Sequence, residues 1–181
     1  MTIYYAPVDY LNDSDFQTVH AETYHYKGLD LREKRNVHSA LIRNLEPSTK
    51  YLIKAFYNGQ FWAVSTYRTL SNDPNVPVRM INAGDSGYTK NAIELTKIVA
   101  TKNPDVFFIG GDVAYDDNMQ SCMFTWDYYL GMYGSLTTSL GYMMPLVIAV
   151  GNHDVGMNEL TGYGPAFFIF FPQHYDRDAK F

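Results

Sequence analysis

The chain has 181 residues, 46% hydrophobic and 18% charged, with a formal net charge of −5, a single cysteine and five histidines. That much apolar material excludes wholesale disorder, and one cysteine, Cys122, excludes an internal disulfide framework and any multi-cysteine metal knot. The mild acidity argues against a general nucleic-acid binder. No apolar run approaches the ~18–20 residues needed to span a bilayer, so no transmembrane segment is expected. Met1-Thr2-Ile3-Tyr4-Tyr5 lacks the basic and apolar regions of a signal peptide.

The first part of the chain reads as β structure. Aromatics make up 16% of all residues, and short runs rich in Tyr, Val, Ile and Thr are separated by turn signals. Strands are expected near Ile3–Ala6, Thr18–Tyr26, Val37–Arg43, Tyr51–Tyr57 and Trp62–Arg68. Asn58-Gly59 between the last two is a strong hairpin signal. Ser71-Asn72-Asp73-Pro74-Asn75-Val76-Pro77, with two prolines among turn formers, reads as a linker.

Beyond it, strand and helix alternate. Val78–Ala83 is a short apolar strand. Asn91 to Lys102 carries Ala92, Leu95, Ile98 and Val99 at helical spacing, with Asn91 and Glu94 placed as a capping box and Asn103-Pro104 as the stop. Val106–Ile109 is a second strand. Cys122, Trp126, Tyr129, Leu130 and Tyr133 then form one helical stripe, which gives Cys122 a structural role. Leu146–Val150 is a third strand. Strands that are near-continuously apolar, alternating with helices, imply a covered parallel sheet.

Each of these three strands runs into glycine and polar residues: Gly84-Asp85-Ser86-Gly87, Gly110-Gly111-Asp112-Val113-Ala114-Tyr115 and Gly151-Asn152-His153-Asp154. In a parallel sheet the C-terminal strand ends share one edge, where ligands bind. Two carboxylates, an amide oxygen, a phenol and an imidazole on that edge form a ligand set for hard metal ions. Two carboxylates brought together without a cation repel, whereas a metal pair relieves the conflict and suits phosphoryl displacement. His153 is placed to give a proton to a leaving oxygen or to bind phosphate. Asp116 and Asp117 read as a solvated loop, and His20, His25 and His38 as structural or surface residues of the β region.

The ordered motifs resemble those of the calcineurin-like metallophosphoesterases, and within them the purple acid phosphatases. The blocks Gly-Asp-x-Gly, Gly-Asp-x-x-Tyr and Gly-Asn-His-Asp/Glu are matched by Asp85, by Asp112 with Tyr115, and by Asn152 with His153. The tyrosine of the second block discriminates, as does Gly87 where the generic pattern has histidine. The resemblance implies that Asp85 and Tyr115 bind a ferric ion, that Asp112 bridges two metals, and that Asn152 binds the divalent partner, which is iron, zinc or manganese. It implies that His153 contacts the phosphate of a phosphate monoester or assists its leaving group. It also implies an acid phosphatase activity and a secreted or other extracytoplasmic home. A ferric ion makes chemical sense of Tyr115, because ionising a phenol with its pKa near 10 takes a strong Lewis acid.

Leu45-Glu46-Pro47-Ser48-Thr49-Lys50-Tyr51 is similar to the Leu-x-Pro-x-Thr-x-Tyr pattern of fibronectin-type-III-like sandwiches, with Tyr51 as the tyrosine-corner residue. The fold expected is therefore α+β in two domains. Residues 1–72 form a β-sandwich of that type, and residues 78–181 form the N-terminal half of a metallophosphoesterase domain.

The family pattern continues with Val-x-x-His and Gly-His-x-His blocks that supply three more metal-ligand histidines. After His153 the chain has only His174, in a context that matches neither. Five expected strands also fall short of the seven of a full sandwich. The expectation is a chain truncated at both ends, a phosphatase fragment. The alternative is a non-catalytic binding protein with a vestigial metal site. Natural substrate and oligomeric state are not legible in the sequence.

Overall fold

The computed structural model describes residues 1–9, 12, 15–26, 35–119, 122–156 and 166–171. His174 lies outside them. The elements in chain order are strands β1 (Thr2–Pro7), β2 (Gln17–His20), β3 (Glu22–Tyr26), β4 (Arg35–Ser39), β5 (Lys50–Tyr57), β6 (Gln60–Arg68) and β7 (Met80–Ala83). Helix α1 (Lys90–Thr101), β8 (Val106–Ile109), α2 (Phe124–Gly134), β9 (Leu146–Ile148), α3 (Asn152–Val155) and α4 (Ala166–Phe170) complete the order.

The β-rich part is antiparallel. One sheet has the order β2-β1-β5-β6, and β3 pairs with β4 in a second. The run Thr18–Tyr26, expected as one strand, is two strands in different sheets. Thr2 faces His20 in the first sheet, whereas Glu22 faces Ser39 in the second, and Ala21 makes the crossing. A period-two pattern survives such a crossing, so the break is invisible to it. The strand expected at Val37–Arg43 starts earlier and stops at Ser39. The hydroxyl of Tyr51, a buried residue, accepts a hydrogen bond from the Glu46 N–H at 2.9 Å. This is the tyrosine-corner bond expected from the Leu45–Tyr51 pattern.

The second part is built on a parallel sheet, β7-β8-β9, in register Ile81–Phe107 and Phe107–Leu146. One face of the sheet meets the helices. Phe107, Ile109 and Ile148 pack with Ala100 of α1, with Trp126, Tyr129 and Tyr133 of α2, and with Phe167 of α4. Tyr133 is buried with its polar tip satisfied, its hydroxyl donating to the Met144 carbonyl. The opposite face leaves Met80 and Val147 exposed.

Two expectations for α1 need correction. Its cap is Thr89, whose hydroxyl accepts from the Ala92 N–H, while Glu94 pairs outward with Lys97. Its inner face is Ala92, Thr96 and Ala100, and Leu95 and Ile98 point to solvent. Small residues let the helix lie close to its neighbours, and helical spacing alone does not say which stripe turns inward. Cys122 is half-buried just before α2, its carbonyl accepting from Thr125.

The two parts touch through β6 and the segment before β9. Met143 N–H donates to the Thr66 carbonyl at 2.7 Å, and the Thr66 hydroxyl donates to the Gly141 carbonyl at 2.6 Å. Arg35 on β4 makes a two-pronged ion pair with Asp127 on α2, 2.7 Å at its shorter contact.

Candidate metal centre

The three motifs meet at the C-terminal edge of the parallel sheet. Beyond β7 and β8 the ladder continues through backbone bonds from Asp85 to Gly111, Ser86 to Asp112 and Gly87 to Val113. These bonds hold the first motif against the second. On the other side, Gly111 and Gly151 let the ends of β8 and β9 almost touch. A Cβ on Gly111 would come within 2.6 Å of the Gly151 backbone, and one on Gly151 would overlap the Asp112 carboxylate. Side chains at these two positions would close the space that Asp112 occupies.

Within this frame the Tyr115 hydroxyl donates to the Asp85 carboxylate at 2.8 Å. The Asp112 carboxylate accepts from the His153 N–H at 2.8 Å. The Tyr115 and His153 rings lie 4.8 Å apart between centroids. Asp85, Asp112, Tyr115 and His153 are thus brought into one contact chain. Asn152 opens α3, with its side chain exposed and one residue from His153. Asp85, Asp112, Tyr115 and Asp117 all adopt left-handed backbone, with φ between 50° and 55°. Non-glycine residues in that region are strained, and such strain gathers at functional sites.

Three carboxylates that sequence reasoning left aside complete the arrangement. Asp154 is fully buried and accepts from the backbone N–H groups of Asp112, Val113 and Gly151, each at 2.8 Å. It therefore staples the second motif to the third. Burial pushes its carboxyl up, against those three N–H groups. An acidic residue three positions after the helix-opening glycine was the available signal, since that spacing suits a bond back to the cap. Asp117 was expected in a solvated loop with Asp116; instead it binds Nδ1 of His153. That bond is the main cause raising the His153 pKa. Gly156, at φ 51°, ends α3 against the Asp117 carbonyl with no room for a Cβ, which fixes the loop beside His153. Asp116 turns inward and is 1% exposed. Burial raises its carboxyl to about 6, with the Trp126 indole and the Asn118 N–H opposing.

The donor set fits hard metal ions. Asp85, Asp112 and Tyr115 present oxygen donors on adjoining loops, and burial together with the Asp85 bond raises the Tyr115 phenol to about 12. A cation here would offset the same negative charge that holds the phenol protonated. Among the described residues no three His, Cys, Asp or Glu side chains gather to hold an ion by themselves. Asp85 and Asp112 supply two such groups, and the other candidate donors are a phenol and an amide.

The sequence profile of the calcineurin-like phosphoesterases matches residues 69–180. The chain belongs to the calcineurin-like phosphoesterase family. Purple acid phosphatases 21 and 22 of Arabidopsis thaliana are 27% and 26% identical to it over 119 residues, 66% of the chain. The chain spans about a quarter of their length, 24% and 25%. The structure of the purple acid phosphatase PPD1 from yellow lupin (Lupinus luteus) seeds superposes with a TM-score of 0.66 at 17% identity, covering 84% of this chain and 30% of that one. That of PhoD superposes with a TM-score of 0.53 at 16% identity, covering 87% and 33%. Residues 69–181 alone cannot supply 84% of the chain, so the lupin superposition takes in part of the β-rich region as well. The resemblance read from the three motifs therefore holds at the level of family and fold. Among the described residues, no helix is long and apolar enough to cross a membrane.

Proposed function

We propose that this phosphoesterase chain supplies ligands to a binuclear centre of the purple-acid-phosphatase kind, and that this centre hydrolyses phosphate monoesters. Asp85 and Tyr115 would hold a ferric ion, Asp112 would bridge, and Asn152 would hold iron, zinc or manganese in the divalent position. When bound, the metal pair supplies a hydroxide nucleophile near neutral pH and charge neutralisation for in-line phosphoryl displacement. The chain's own part is positioning and proton handling. Asp154 fixes the Asp112 and His153 loops to each other through backbone N–H groups. Asp117 holds the His153 proton at Nδ1 and favours the imidazolium, which leaves Nε2 as the atom that gives a proton to the leaving oxygen.

The observation that carries this reading is the contact chain from Asp85 through Tyr115 and His153 to Asp112, built on strained backbone at the sheet edge. The antiparallel sheets and the Tyr51 bond support a fibronectin-type-III-like domain over residues 1–72 ahead of a phosphoesterase domain over residues 78–181. A secreted or other extracytoplasmic home goes with the purple-acid-phosphatase relationship. The test is phosphate release from a chromogenic monoester by the metal-loaded chain. Release that Asp112→Asn abolishes supports the reading.

A second reading is a non-catalytic binding protein with a vestigial metal site. It is favoured by the short supply of His, Cys, Asp and Glu ligands among the described residues. Metal uptake without any phosphate release would select it.

A further inference from the structure

We propose that His25 and His38 form a two-imidazole metal site on the β3–β4 ladder, suited to a late first-row divalent ion such as zinc or copper. The site is separate from the centre at the edge of the parallel sheet and shares none of its residues.

The placement comes from the register. Thr23 faces His38 and His25 faces Asn36 across the antiparallel ladder. Side chains alternate along a strand, so these four stand on one face. His25 and His38 are diagonal neighbours there. Such pairs have Cβ atoms roughly 7–8 Å apart, a span that two imidazoles and metal–nitrogen bonds of about 2 Å can bridge. Each ring is also turned towards the opposite strand. Nδ1 of His25 meets Oδ1 of Asn36 at 2.8 Å, and Nδ1 of His38 meets the Thr23 hydroxyl at 3.0 Å. The Tyr57 ring of β5 backs the His38 ring at 5.2 Å between centroids.

These bonds select the ring nitrogen that is left for a metal. Oδ1 of Asn36 only accepts, so Nδ1 of His25 carries the hydrogen and Nε2 carries the lone pair. The Thr23 hydroxyl can accept from Nδ1 of His38 in the same way. Neither Nε2 has a hydrogen-bond partner among the described residues. An Nδ1–H held by an oxygen, with Nε2 open, is how metal-ligating histidines are oriented. Burial lowers the His38 pKa, and the N-terminal ammonium and His25 lower it further, which keeps that ring in the neutral form a metal needs. His25 is exposed and His38 half-buried, so an ion reaches the pair from solvent. Imidazole nitrogen suits zinc, copper and nickel, whereas calcium and magnesium take oxygen. His20 offers the contrast: it faces Thr2 on a ladder with no second histidine. An ion at the pair would join β3 to β4 beside Arg35, whose side chain grips Asp127 on α2. It would thus fasten the part of the β region that is ion-paired to the second part of the chain.

The test is a titration of the full chain with zinc chloride, followed through the histidine ring resonances by NMR, with calcium as the control ion. The expected result is that the His25 and His38 rings shift together and saturate at one ion per pair, while His20 does not move. His25→Asn and, separately, His38→Asn should each weaken that site roughly tenfold or more, because the chelate is lost. Asn36→Ala keeps both rings and should still weaken zinc about tenfold, since it releases the His25 ring. Asp112→Asn, which alters the sheet-edge centre, should leave the pair's affinity unchanged. Rings that do not shift, or that saturate independently at two zinc concentrations, overturn the site. So does zinc binding that survives His25→Asn, a change at an exposed position that leaves the core intact, or a shift that calcium reproduces. A shift lost in Asp112→Asn would assign the ion to the sheet edge and overturn the site as well.

Discussion

Asp116 gives the sharpest test of how this site is built. Its carboxyl is 1% exposed, and Oδ1 has no hydrogen-bond partner among the described residues. Burial lifts its pKa from 3.8 to about 6. The sign follows from linkage. Below the unfolded pKa the group is protonated in both states and contributes nothing. Above the folded pKa the native state carries a buried charge that the unfolded chain solvates, so stability falls as the pH rises through the window from about 4 to about 6. A shift of roughly two units corresponds to about 3 kcal/mol at neutral pH. Asp116→Asn keeps the shape and removes the charge, so it should stabilise the chain by up to about 3 kcal/mol at pH 7.5 and by close to nothing at pH 4. Urea unfolding of the two proteins at a series of pH values, in chelator, measures the difference. A difference that does not change between pH 4 and 7.5, or a variant less stable than the parent at pH 7.5, would refute the reasoning.

Three further outcomes follow from the same geometry. Asp154→Ala strands three backbone N–H groups and should cost at least ~3 kcal/mol in urea unfolding. Asp117→Asn removes the main cause raising the His153 pKa, so the imidazole should titrate lower by NMR in the metal-free chain. In the parent the pairing stabilises the fold fully below the unfolded His pKa and is lost as the pH rises through the folded value; the variant should lack that pH dependence. Tyr51→Phe deletes the bond to the Glu46 N–H and should cost about 1 kcal/mol, read as a fall in Tm of roughly 2–4 °C.

Much of the architecture was legible because its causes are local. Val106–Ile109 and Leu146–Ile148 are apolar runs bounded by turn residues, and a parallel sheet followed from their alternation with helices. Asn58-Gly59 fixed the β5–β6 hairpin. The convergence of Asp85, Asp112, Tyr115 and His153 followed from their placement at strand ends. What escaped depends on partners distant in sequence. Nothing in Thr18–Tyr26 says that the chain changes sheets at Ala21. The inner stripe of α1 is the one with small residues, not the one with Leu95 and Ile98, because close approach decided it. Asp116 and Asp154 were missed for a related reason. Acidic residues are mostly exposed, and only the fold supplies the backbone N–H groups and buried surroundings that these two meet.

The central claim is that Asp85, Asp112 and Tyr115 form the oxygen-donor half of a metal centre. Titrating the purified chain with ferric iron, while recording its visible spectrum, tests it most directly. The account predicts saturable uptake with a tyrosinate-to-iron charge-transfer band that disappears in Tyr115→Phe and weakens in Asp85→Asn. A chain that binds no ferric iron, or a band that survives Tyr115→Phe unchanged, would contradict it.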